Sequence, residues 1–366
     1  MKKIVIDARE YTTSTGRYMF RLLQYLEKID EAHDYIILHK PHDMEAHTFT
    51  NPHFTKVVCP YKEFTFSEQL GYLKLLRSLK PDLVHFGKTE QPVLYRGLSV
   101  TTVHDLTNAL MHNPSRYRNA LYFKFKQLVY RWVIKKVARK THTIITPTNF
   151  VKDQLAGFAH IDPAKIAVTL ESADPIDAMP EAYSPAEGKE FIMYVGRPTL
   201  HKNLSRLIDA FTLLQKSRPE LYLILAGKTD ANYREHAARV EHDDIKNVVF
   251  TDFISDGQLR WLYEHCAGYV FPSLSEGFGL PPLEAMTHGA PVIASNATAI
   301  PEVCGEAAHY FDPLDVHDMA AKIADVLDNE KLRQALISKG RERIKQYSWQ
   351  RMAEQTLAIY KNALGE

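Results

Sequence analysis

Residues 273–289 read SLSEGFGLPPLEAMTHG, and this stretch decides which kind of sheet the chain builds. The apolar run GYVF at 268–271 precedes it and has the look of a buried strand. Gly277 and Gly279 then make a short loop. Pro281 and Pro282 follow where a helix can begin, because its first turn does not need their missing N–H and their fixed φ suits it. Gly289 stops that helix and Pro291 keeps it from restarting. The local order is therefore strand, glycine loop, helix. Such a helix start presents unpaired N–H groups and the positive end of a dipole, a setting that suits phosphate. Two carboxylates frame it, Glu276 in the loop and Glu284 in the helix. Beside a phosphate a carboxylate is electrostatically awkward, but its two oxygens match the vicinal hydroxyls of a ribose or a sugar ring.

Outward from this stretch, short apolar runs alternate with amphipathic stretches of helical length. Strands are expected at 3–8, 35–39, 55–59, 83–86, 100–104 and 143–146, with helices at 16–28, 67–79 and 117–140. The pattern then restarts, with strands at 191–195, 221–226, 248–253, 268–271 and 292–294. Helices are expected at 203–216 and at 255–266, the latter capped by Ser255, and a last one at 349–364. This alternation implies α/β architecture with mostly parallel sheets covered on both faces. Residues 171–189 carry Pro175, Pro180, Pro185 and Gly188 and read as a linker. The expected organisation is a Rossmann-like domain at 1–174, a linker at 175–189, a second Rossmann-like domain at 190–346 and a terminal helix at 347–366. Both sheets would point the carboxyl ends of their strands into a central cleft, where open α/β sheets bind ligands.

Size and composition agree with two ordinary globular domains: 366 residues, 45% hydrophobic and 24% charged. A net charge of +1 gives no bulk attraction to nucleic acid. Cys59, Cys266 and Cys304 are too few and scattered for a disulfide framework or metal cluster, and read as buried thiols in a reducing compartment. No apolar stretch approaches the ~20 residues needed to span a bilayer. The run at MKKIVIDARE is broken at Asp7 and Arg9, too soon for a signal-peptide core. The expectation is a cytoplasmic protein.

Residues 191–203, FIMYVGRPTLHKN, pair a strand with Gly196-Arg197 and then Lys202-Asn203. Arg197 and Lys202 can converge on one anion. The plainer alternative is two surface charges near a helix start, where cations are unfavourable. The junction from Ala8 to Gly16 holds a single glycine, so the nicotinamide pattern GxGxxG is absent and a dehydrogenase is disfavoured. Gly16 opens a helix and would let a ligand approach the backbone, or is simply a turn glycine. The strand at 100–104 runs into His104-Asp105, which sets an imidazole at a strand end, either as a site residue or as a structural histidine.

Glu276-Gly-Phe-Gly279, with Glu284 eight positions after the first Glu, resembles the signature of retaining nucleotide-sugar glycosyltransferases of family 4. The likeness covers nearly the whole chain and is sharpest over 191–289. It implies the GT-B fold, two Rossmann-like domains facing a cleft with the last helix crossing back to the first domain. It also implies transfer of a hexose of mannose or glucose type from a GDP- or UDP-linked donor to a glycan or lipid-linked glycan, with retention at the anomeric carbon. By the resemblance, Glu276 and His104 contact the donor sugar, Arg197 and Lys202 the diphosphate, and Glu284 the ribose diol. Gly16, Gly196, Gly277, Phe278, Gly279 and Leu280 would offer backbone to the donor. The strand end at 248–254 would hold the base, mostly through backbone groups of Phe253 and Ile254, or is an ordinary strand terminus. The absence of an Asp-x-Asp near a strand end makes the expected reaction metal-independent, with no cofactor beyond the donor substrate. Alternatives are a GT-B epimerase or phosphorylase, or a basic scaffold without activity.

Residues 116–140 carry nine Lys/Arg and no Asp or Glu, interleaved with Tyr117, Tyr122, Phe123, Phe125, Tyr130 and Trp132. An anionic membrane surface suits such a face, at about 1 kcal/mol per basic residue near the lipid. A long domain helix with core aromatics and solvated cations fits equally. No nucleic-acid module is recognisable, and no nucleic-acid partner is expected. Acceptor contacts are expected in the loops at 61–67 and 88–94, where the sequence carries no readable code.

Overall fold

The computed structural model describes residues 1–11, 16–63, 65–110 and 120–366, with the side chains of 120–123 left aside. They form two compact units: Met1–Glu171 with Ser348–Glu366, and Ser172–Tyr347.

Unit 1 holds β1 (Lys2–Asp7), α1 (Gly16–Ile29), β2 (His33–His39), β3 (Phe54–Val58), α2 (Leu73–Leu79), β4 (Leu83–Phe86), β5 (Ser99–Thr102), α3 (Thr107–Leu110), α4 (Ala120–Lys140), β6 (Thr143–Thr146), α5 (Asn149–Ala159) and β7 (Ile166–Val168). The sheet runs β3-β2-β1-β4-β5-β6-β7, all parallel. Ile4 of β1 sits level with Tyr35 on one side and Leu83 on the other. All of β4 and β5 and the last four residues of β1 are buried. That is what near-continuous apolar runs imply for a sheet covered on both faces. Strand order turns back between β1 and β4, so the ends carrying Asp7 and Gly87 open at a topological switch point.

Unit 2 holds β8 (Phe191–Val195), α6 (Leu204–Gln215), β9 (Tyr222–Ala226), α7 (Ala231–His242), β10 (Val248–Phe250), α8 (Asp256–His265), β11 (Gly268–Phe271), α9 (Leu280–Thr287), β12 (Val292–Ser295), α10 (Ile300–Cys304), β13 (Ala308–Phe311), α11 (Val316–Asp328) and α12 (Glu330–Ile344). Its parallel sheet runs β10-β9-β8-β11-β12-β13, with its own reversal between β8 and β11. The core interleaves Leu207, Ile208 and Phe211 of α6 with Ile192, Leu223 and Leu225 of the sheet and Met319 and Ile323 of α11. Ser255 caps α8 in a reciprocal box with Gln258.

The last helix, α13 (Trp349–Leu364), belongs to unit 1. It packs on α1 and buries Trp349, Met352, Leu357 and Tyr360. Each large apolar side chain so buried contributes about 1.5–3 kcal/mol.

Several elements differ from the expectation. Strands β7 and β13 and helix α5 were not expected; both strands are short and half-buried, so their apolar signal is weak. The strand expected at 248–253 ends at Phe250, because Asp252 takes the left-handed conformation. The helix expected at 67–79 opens with a π-helical turn at Glu68–Tyr72. The segment read as linker lies with unit 2, held by Glu181 N–H donating to Gly257 O at 3.1 Å and by Arg260 donating to the carbonyls of Ile176 and Ala178. Residues 117–119 of the expected cationic helix, and 116 before them, lie outside the described residues. The three cysteines are buried and unbridged. No helix among the described residues is long and apolar enough to cross a membrane.

Candidate active site

In unit 2 the expected residues gather at the switch point, on the chain leaving β8 and the chain leaving β11. Gly196 follows β8 at φ +145, where a Cβ would lie 2.9 Å from the Tyr194 hydroxyl. Arg197 comes next and is exposed. A 3₁₀ turn at Leu200–Lys202 leads to Asn203, which is buried with φ +63 and stands before α6 rather than in it. Its amide donates to Pro272 O at 3.0 Å and Pro313 O at 2.8 Å, tying the loop after β8 to the loops after β11 and β13. A further tie is Leu274 N–H donating to His201 O at 2.7 Å.

These ties bring Lys202 onto Glu276, Nζ to Oε1 2.6 Å, from 74 positions apart. The pair is largely sheltered, with side-chain exposures of 20% and 13%. Arg197 and Lys202 thus share one loop, but Lys202 rests on Glu276. The Glu276 N–H donates to Thr298 Oγ1 at 3.0 Å. Gly277 and Phe278 are buried, and the Phe278 ring meets Tyr347 edge-on. Gly279, at φ +96, precedes Leu280, the first residue of α9; only glycine adopts that backbone without strain. Glu284 lies in α9 and accepts from the Tyr263 hydroxyl at 3.3 Å. Phe253 is 85% exposed and Ile254 half-buried, both just past β10.

The sequence reading missed a set of tyrosines beneath these loops. Tyr233 donates to Gly196 O at 2.9 Å, and Tyr194 to Arg197 O at 3.3 Å. Tyr269 Oη and Ser273 Oγ are buried without a hydrogen-bond partner among the described residues. In sequence all three tyrosines look like core aromatics, and only their hydroxyls say otherwise.

In unit 1 a cavity of about 200 Å³ opens at the other switch point, where β1, β4 and β5 end. Asp7, Lys88, Glu90, His104, Asp105 and Tyr130 are among its lining. Burial holds the Glu90 carboxyl above its ordinary value. His104 lies two residues past β5, its Nδ1 3.1 Å from Glu171 Oε1 and its ring edge-on to Tyr18. Behind it, Thr102 Oγ1 meets Tyr18 Oη at 3.1 Å and His85 Nε2 at 2.8 Å, and His85 Nδ1 meets Tyr360 Oη of α13 at 2.5 Å. Burial takes His85 down to about 3, so it stays neutral. Gly16 is buried, and the close approach it allows is to its own chain: a Cβ there would lie 2.1 Å from Tyr11 O. Residues 12–15 before it lie outside the described residues. Among the described residues no group of His, Cys, Asp and Glu is gathered to hold a metal.

His104 is expected to keep its proton to higher pH than a free imidazole. Burial pulls its pKa down, but the hydrogen bond and charge of Glu171 outweigh it. Its contribution to unit 1 stability is therefore full below about 6.5 and lost as pH rises through the raised value. An NMR titration of the ring checks this; an apparent pKa below 6.5 refutes it.

The family model described as "Glycosyltransferase Family 4" matches residues 15–170, and "Glycosyl transferases group 1" matches 175–343. Over 231 residues the chain is 32% identical to the O-antigen chain mannosyltransferase B of Escherichia coli, covering 60% of each. The chain spans from about a quarter to three fifths of the length of the first curated relatives it matches. In structure it aligns with sucrose-phosphate synthase from Thermosynechococcus elongatus at a TM-score of 0.80 and 17% identity, covering 100% of both chains. Anabaena Alr3699/HepE in complex with UDP-glucose aligns at 0.73 and 14% identity, covering 99% of this chain and 100% of that one. At such identities the likeness shows the fold, GT-B.

Proposed function

Since the chain belongs to the glycosyltransferases, its first half matching the family 4 model and its second the group 1 model, we propose that it moves a hexose from a nucleoside diphosphate sugar to an acceptor hydroxyl. The observation that carries this reading is the Lys202–Glu276 pair at the unit 2 switch point, beside Gly279 and the start of α9. Lys202 is the sheltered cation for the departing diphosphate, and Arg197 the exposed one. Glu276 holds the sugar's hydroxyls and Glu284 the ribose diol. The departing diphosphate gains charge as the glycosidic bond breaks, so these cations act more strongly on the transition state than on the ground state. Retention by double displacement needs a free carboxylate nucleophile. Glu276 is engaged by Lys202, which favours attack from the leaving group's own face, with the diphosphate taking the acceptor proton.

A carbohydrate acceptor suits the unit 1 cavity, which mixes carboxylates, an imidazole and Tyr130. The relative's printed name, an O-antigen chain mannosyltransferase, supports mannose and a glycan or lipid-linked glycan acceptor. The neighbour's complex with UDP-glucose supports a nucleotide-sugar donor. No metal enters the proposed reaction. Helix α4 exposes Phe125, Leu128, Val129 and Trp132 beside Lys124 and Lys136, a face suited to an anionic membrane.

A melting screen with GDP and UDP, followed by GDP-mannose and UDP-glucose with octyl α-mannoside, tests the reading. A nucleotide at 100 times its Kd stabilises by about 2.7 kcal/mol, an easily seen shift. Donor consumption is expected to require the acceptor. Conversion of donor alone points to an epimerase, and a flat melting curve with every nucleotide sinks the proposal. Running the screen with and without anionic vesicles tests the α4 face, which predicts salt-sensitive binding.

A further inference from the structure

Arg9 lies just past β1 with its guanidinium wholly enclosed in unit 1. It donates to Asp7 through Nε at 2.9 Å and Nη2 at 2.8 Å, and to Glu68 Oε1 at 3.1 Å. It also donates to two backbone carbonyls, Tyr61 O at 3.0 Å and Glu90 O at 3.1 Å. Its Cζ lies over the Tyr72 ring, 4.4 Å from the ring centre. Tyr61 and Glu90 stand on separate irregular loops, those after β3 and β4, while Asp7 and Glu90 both line the cavity.

Burying such a cluster is a poor route to stability, because well-packed apolar side chains of like volume do as well or better. What it supplies is direction: a planar cation with five N–H groups can hold two carbonyls and two carboxylates at fixed angles. The neighbourhood is shaped to the same end. The π-helical turn at Glu68–Tyr72 buries Glu68 against Arg9, and such turns are frequent at functional sites. Gly71 in that turn leaves room for the Tyr61 ring, which a Cβ would meet at 2.2 Å.

We propose that Arg9 is a positioning residue for the acceptor: it ties the loops at Tyr61 and Glu90 to the cavity floor at Asp7 and so fixes the shape that reads the acceptor sugar. This rests on the reading of the unit 1 cavity as the acceptor site. Arg9 touches no reacting atom, and its influence passes through the loops.

The test compares the full chain with Arg9→Lys, which keeps the charge but lacks the reach for both carbonyls. Amide hydrogen exchange at 61–63 and 88–95 is expected to quicken by about tenfold or more, with 276–289 unchanged. With octyl α-mannoside as probe, the acceptor KM is expected to rise about tenfold while the donor KM stays within about twofold. A folded Arg9→Lys with unaltered exchange in those loops overturns the proposal. So does an equal rise in both KM values, which signals general loosening. If Arg9→Lys does not fold, Glu68→Gln keeps the shape and removes one charge; faster exchange in the two loops supports the proposal and unchanged exchange overturns it. Failure of the transferase reading looks different: the wild type then consumes no donor, and loop exchange alone decides the matter.

Discussion

Lys202→Ala is expected to lower turnover by about 10²–10³-fold, the range seen when one preorganised donor to a developing charge is removed. Nucleotide binding should weaken much less, because the diphosphate carries its extra charge only as the bond breaks. The structure gives this substitution a second effect. Glu276 holds the lysine at 2.6 Å, so alanine leaves a sheltered carboxylate with no partner cation where a diphosphate is to sit. Lys202→Arg, which restores charge but not the compact ammonium, should recover only part of the rate. Steady-state kinetics with the selected donor decide it, and near-normal turnover in Lys202→Ala removes this residue from the mechanism.

The second large effect is on stability. Asn203→Ala should cost unit 2 about 3–8 kcal/mol. Two buried carbonyls, Pro272 O and Pro313 O, lose their donor, at about 1–3 kcal/mol each. The left-handed backbone at φ +63 adds about 1–2 kcal/mol for a residue with a Cβ and no side-chain hydrogen bond. At about 2–4 °C per kcal/mol for a unit of this size, the melting temperature falls by roughly 6–30 °C. Asn203→Gly relieves the strain but not the lost hydrogen bonds, so it should fall between. A melting curve for Asn203→Ala within 2 °C of wild type would contradict the account.

The stretch around residue 279 was legible because its information is local. Glycine at positive φ and proline at a helix start are properties of single residues, and they placed β11 and α9 almost to the residue. The alternation of apolar runs likewise gave both parallel sheets, apart from short β7 and β13. The contact between Lys202 and Glu276 was not legible from periodicity, since nothing across a separation of 74 positions encodes it. Arg9 was read only as the charge that breaks an apolar run. Its enclosure depends on Tyr61, Glu68 and Glu90, which the fold delivers from three further places. An Asp-x-Arg pair at the carboxyl end of a buried strand is the signal that could have found it. Gly16 has a local reason of its own, since its chain's carbonyls at Glu10 and Tyr11 occupy the space a Cβ would need.

The assignment of α13 to unit 1 has a consequence for how the protein is made. Unit 1 is interrupted in sequence by all of unit 2, so a nascent chain halted after Glu171 lacks the helix that covers α1. At about 5–20 residues per second, the ribosome adds the intervening segment over roughly 10–35 s before Tyr360 can reach His85. Throughout that interval the part of α1 that α13 packs on has no cover, and it is there that a holding chaperone would find its grip. Cutting at Glu171 to express the first half alone makes that transient exposure permanent, whereas unit 2 comes away as one uninterrupted piece.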